Sequence, residues 1–150
     1  MQSLTNTSMA EAAICRVNLL TALSRPLWGS MNCTQMLQHC RQVNQAILMG
    51  PVSNRQPTLK ERMLKFVILR VLGRLPKHAQ QPVQLKQLAL NEPLLSFDNE
   101  RDKLIETIRA FRGHRIPNGL THPVFGPLTT SESGYFSWIH LSHHLTQFGV

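Results

Sequence analysis

The chain has 150 residues, a formal charge of +8, 42% hydrophobic residues and 16% charged ones. These values suit one globular domain over 1–150 and exclude a disordered tail. No apolar run reaches the roughly 18–20 residues of a membrane span, and Met1–Ser8 lack the basic flank and apolar stretch of a signal peptide, so no membrane partner is expected and the cytoplasm is the default location.

Residues 8–23 read as a first helix, with Ser8 as its cap, Glu11 as capping-box partner and Pro26 beyond its end. Leu27-Trp28-Gly29-Ser30 is a turn, and Trp28 is expected to anchor the next helix to the core. That second helix runs from about Asn32 to Met49 and stops at Gly50-Pro51, with Met36, His39, Val43 and Ala46 on one face. Thr58 and Glu61 form a capping box for a third helix that reaches Leu72 and breaks at Gly73. The stretch Leu75–Phe97 has three prolines and no sustained period, and reads as a long connection. A fourth helix covers about Asp98–Phe111, acidic at its start as the helix dipole favours. Residues 113–127 are read as irregular, and the Thr129–Glu132 capping box opens a last helix. No strand signal appears. The expected architecture is therefore all-α, a four-helix bundle with long irregular connections and one extra short helix.

Arg55, Lys60, Arg62, Lys65, Arg70, Arg74 and Lys77 crowd residues 55–77 against Glu61 alone. Such a stretch is either a solvated helix face or an attractor of anions. No nucleic-acid motif accompanies it, and nucleic acid is not an expected partner. The three cysteines form no CxxC pair, so a site built of thiolates is not expected.

Three of the seven histidines, His140, His143 and His144, lie in the last helix. His140 and His144 are i,i+4 neighbours on one face, about 5–6 Å apart at Cβ, and His143 is rotated aside. His39 lies on the apolar face of the second helix. Three imidazoles from two helices can fill three positions of a tetrahedron around a divalent metal and leave the fourth for water or substrate. The competing reading of His39 is a buried neutral ring satisfied by a hydrogen bond. Zinc, nickel and iron(II) all accept imidazoles, so ligand type does not select the metal. Gln147 lies on the flank of the same helix, where it can orient a ligand. Cys40, beside His39, reads as core filler. His122 is placed in a loop near the pocket mouth, while His78 and His114 are expected at the surface. There is no HExxH, Gly-rich phosphate loop or GxSxG, and no catalytic residue is assigned.

Arg25-Pro26-Leu27-Trp28-Gly29, Met36-Leu37-Gln38-His39-Cys40, His122-Pro123-Val124-Phe125-Gly126-Pro127-Leu128-Thr129 and the ending from His140 to Val150 resemble the DinB/YfiT-like superfamily. The resemblance runs from about Leu4 to Val150, is weak over 51–97, and is strongest to a bacterial branch of small proteins with this ending. It implies a four-helix bundle holding a divalent metal on His39, His140 and His144. Some relatives are transferases or isomerases that use a low-molecular-weight thiol such as bacillithiol, mycothiol or glutathione, and others are metal-dependent hydrolases. It therefore implies a metal-dependent thiol S-transferase or hydrolase acting on a small-molecule substrate. No thiol-binding residue matches one by one. The alternative is a non-catalytic, metal-stabilised stress or binding protein whose basic 55–77 face meets an anionic partner. A homodimer is left open.

Overall fold

A computed structural model of the chain describes residues 2–77, 92–113 and 116–150. Among these residues are five helices: α1 (Thr7–Asn18), α2 (Cys33–Met49), α3 (Leu59–Phe66), α4 (Phe97–Gly113) and α5 (Thr130–Gln147). α3 continues as a π-helical turn over Val67–Leu72, closed by Gly73 in the left-handed region at φ 57°. The connection expected over Leu75–Phe97 lies largely outside the described residues, as do His78 and His114.

α1, α2, α4 and α5 pack around one core, with the most extensive contact between α2 and α4. Leu37, Leu104, Ile108, Leu141 and Leu145 are among its fully buried members. Burial of each such side chain stabilises the fold by about 1.5–3 kcal/mol relative to exposure. Arg16 fastens α1 to α5, donating to Ser142 Oγ at 2.9 Å, Thr146 Oγ1 at 3.1 Å and the Val150 carbonyl at 2.7 Å. α3 lies outside this set, and its Leu59, Met63 and Phe66 are exposed.

Three expectations are corrected. α1 is capped by Asn6, whose side chain accepts from the Met9 N–H at 3.3 Å, and not by Ser8. Glu11 is not its box partner but pairs with Arg112 at 3.0 Å. The helix also ends at Asn18 and not near Leu23. Ser24 Oγ takes the Thr21 N–H at 2.9 Å, a local bond that competes with the next helical turn, and Leu19 and Leu23 find no core to enter.

The chain is mostly helical but not all-α. Leu120–His122 (β1) and Gly126–Leu128 (β2) pair antiparallel, with Leu120 opposite Leu128, Thr121 opposite Pro127 and His122 opposite Gly126. Val52 bridges to Leu120 on the other side. Three-residue strands are too short to display an alternating pattern, and Pro127 argues against a strand in sequence; here it occupies a strand of the smallest possible sheet. No helix among the described residues is long and apolar enough to cross a membrane.

Candidate metal centre

The site is built on α2 and α5, and both begin at a capping box. Asn32 and Gln35 exchange side-chain-to-backbone bonds at the start of α2, and Thr129 and Glu132 do so at the start of α5. These local bonds set where each helix starts and hence the rotation of its faces. His39 then emerges on the inward face of α2, and His140 and His144 emerge one turn apart on the inward face of α5.

The three rings meet. His39 Nε2 and His140 Nε2 are 3.0 Å apart, and one ligand atom from each of His39, His140 and His144 lies within 4.8 Å of the others. All three side chains are nearly sealed from solvent, at 8%, 6% and 8% exposure. A tetrahedral zinc with Zn–N of about 2.0–2.1 Å holds its nitrogens about 3.3 Å apart, so the 3.0 Å pair, which without a metal is an N–H···N hydrogen bond between the rings, stands close to ligand spacing. These three histidines could hold a metal ion.

The surroundings suit that use. His144 Nδ1 is 2.8 Å from Gln147 Oε1. An amide oxygen only accepts, so Nδ1 carries the proton and Nε2 keeps its lone pair. Gln147 is in turn fixed by donating from Nε2 to the Trp28 carbonyl at 2.6 Å. Gly29, at φ +85°, makes this approach possible: a Cβ there would stand 2.6 Å from Gln147 Nε2. His140 Nδ1 is buried and has no hydrogen-bond partner. Phe136 packs 5.7 Å from the His140 ring, between centroids.

Burial keeps the rings neutral, the form that binds a metal. His39 is pushed down to about 3 by burial first and then by His144 and His143. Burial takes His144 to about 4, against a partly restoring bond from Gln147, and lowers His140 well below the usual imidazole value, with its histidine neighbours adding.

His143 does not join the three. It is half-buried on the adjacent face, its ring edge-on to Trp28 at 5.9 Å. Cys40 lies with Sγ 3.7 Å from Met36 Sδ and is not one of the clustered ligand residues. Its thiol is pushed far up by burial and by Cys33, which suits core filler and not a ligand. His122 is not at a pocket mouth. It is buried, with Nδ1 accepting the N–H groups of Val124 at 3.1 Å and Phe125 at 3.3 Å. Its ring stacks on Phe125 and stands against Phe136, forming an aromatic wall behind His140. The His-Pro-x-Phe spacing of residues 122–125 is the sequence signal for that wall. Trp28 is half-buried, and its anchoring role falls to its carbonyl through Gln147.

Within the basic stretch, Arg55 pairs with Glu61 at 2.6 Å and Lys65 with Glu132 at 3.0 Å. Lys60, Arg62, Arg70 and Arg74 are exposed and form no ion pair among the described residues.

A family model described as "Protein of unknown function (DUF1569)" matches residues 1–149. The chain belongs to the DUF1569 family. No curated protein and no solved structure matches it. The DUF1569 description carries no reaction, and the groups that offer chemistry in this chain are its buried histidines.

Their pKa shifts give a pH prediction for the metal-free DUF1569 chain. His39, His122 and His144 are held at about 3, 4 and 4 when folded, whereas an unfolded histidine titrates near about 6.5. Between those values the unfolded chain binds more protons, so stability is lost as pH falls. The contribution is complete above about 6.5 and declines down to about 4, where the folded rings begin to protonate as well. Denaturant midpoints of metal-free protein should fall steadily from neutral pH into that window. A midpoint that stays flat there would show that these rings are already charged or solvated.

Proposed function

We propose that this chain is a divalent-metal protein of the DinB/YfiT-like type. Its three-histidine centre would serve metal-dependent chemistry on a small molecule, with S-transfer from a low-molecular-weight thiol preferred over hydrolysis. The observation that carries the reading is the convergence of His39, His140 and His144 from two helices into one buried cluster. The packing of α1, α2, α4 and α5 around a shared core supports a bundle of this type. The preference for a thiol follows from the family resemblance alone.

A divalent ion on these rings would supply Lewis acidity to a thiol or a water at its remaining position. The chain's own residues do the rest. Burial keeps three nitrogens unprotonated at neutral pH. Gln147, fixed on the Trp28 carbonyl, orients His144 so that Nε2 faces its neighbours. Phe136 and His122 close the side behind His140 and exclude water there.

The same burial favours a second reading, a metal-stabilised protein without catalysis, in which exposed Lys60, Arg62 and Arg70 meet an anionic partner. One set of measurements separates the two: metal content, melting with and without chelator at neutral pH, and a screen of thiol–electrophile conjugation and ester hydrolysis. The proposal expects about one divalent ion per chain, a lower melting temperature with chelator, and metal-dependent turnover. Bound metal with no turnover in any arm selects the second reading. Coincident melting curves with no metal bound overturn both.

A further inference from the structure

A cavity lies against the face of α5 that carries Trp138, Ile139, His143 and Thr146, next to the face that carries the clustered rings. It measures about 590 Å³, within the roughly 300–1,000 Å³ of small-molecule sites. Trp28 and Trp138 form two of its walls, Ile139 and Pro76 extend the apolar lining, and Arg74 and Lys77 stand in it as the cations. No aspartate or glutamate is among the described residues that line it. The Lys77 ammonium sits 4.9 Å from the centre of the Trp28 ring, and neither Arg74 nor Lys77 has an ion pair among the described residues.

We propose that this cavity binds a small organic anion with a flat aromatic body, such as an aromatic carboxylate, sulfonate or phosphate. The indole walls offer planar apolar surface on which an aromatic ring gains stacking and burial. The two cations offer the charge complement, and no acidic group among the described lining residues competes for them. A neutral aromatic would gain the first interaction only, and a cationic one would meet repulsion. The basic stretch that looks diffuse in sequence is thereby resolved: two of its seven cations converge on an aromatic cleft. The proposal does not require the metal reading, because none of the three clustered histidines lines the cavity; Trp28 serves both, with its indole here and its carbonyl on Gln147.

Both tryptophans of the chain line this one cavity, so intrinsic tryptophan emission reports on its occupancy. The test is to titrate the full chain with anilinonaphthalene sulfonate and with neutral phenylnaphthylamine, following tryptophan quenching, with and without chelator. The sulfonate should bind about tenfold more tightly than its neutral counterpart, as two cations acting on one anion allow. Arg74→Glu combined with Lys77→Glu should cancel that preference. Lys103→Glu combined with Arg109→Glu, which changes the net charge equally at exposed positions of α4, should keep it. Equal affinities for the two probes in the unmodified chain overturn the proposal. So does an equal loss of preference in the control pair, which would make the effect one of net charge alone.

Discussion

His39→Ala, His140→Ala and His144→Ala should each lose stoichiometric metal, while His143→Ala retains most of it. The expectation comes from where the rings stand: three have ligand atoms within 4.8 Å of one another, and the fourth faces Trp28 instead. Removing one of three protein ligands leaves two nitrogens, too few for the three protein ligands that catalytic zinc sites use. Gln147→Leu should fall between these classes, weakening metal binding by about 10–100-fold, the usual effect of losing the group that orients a ligand. It would release His144 Nδ1 and free the Trp28 carbonyl together. Metal content and competition with a calibrated chelator give the measurement. If His143→Ala strips the metal and His144→Ala keeps it, the three-histidine assignment is wrong.

A second large effect is expected far from the rings, at the buried pair between α2 and α4. Arg41 Nε donates to Glu100 Oε2 at 2.8 Å, and the side chains are 2% and 0% exposed. Arg41 also reaches Glu92 at 2.8 Å and Gln45 at 3.0 Å, and Glu100 accepts the Leu95 N–H at 3.3 Å. Glu92 is 41% exposed, so water weakens its hold on the guanidinium. Glu100→Leu therefore leaves a buried cation without its main partner, and should cost about 3–5 kcal/mol out of a domain's ~5–15 kcal/mol. Arg41→Met combined with Glu100→Leu should recover most of that loss, because it is the unpaired charge and not the missing pair that destabilises. Urea unfolding of the two single variants and the double variant closes the cycle. A Glu100→Leu midpoint indistinguishable from the parent would mean that water reaches Arg41.

The features legible in sequence are those whose physics lies within one turn of chain. The capping boxes Thr58–Glu61 and Thr129–Glu132 form as expected, because the donor and acceptor are three residues apart and need no other element. The pairing of His140 with His144 is likewise a consequence of helical rise, and Gln147 stands within the same reach. Ser8 and Asn6 show the margin of this local reading: both residue types cap, and both precede the same apolar run.

Tertiary packing decided the rest. Asp98, Glu100 and Asp102 look alike as an acidic helix start, yet Glu100 is buried on Arg41 while the other two remain in solvent with Arg101. Which of them turns inward depends on how α4 meets α2, and no residue of α4 states that. His39 reaches His140 across 101 residues of sequence, and its alternative, an ordinary buried ring, has the same local pattern. The walls Trp28 and Trp138 lie on a turn and on α5, and line one cavity with Arg74 and Lys77 only in the folded chain. Periodicity and caps follow from bonds between near neighbours, which sequence order displays. Shared burial and convergence follow from the relative placement of four helices, which sequence order does not.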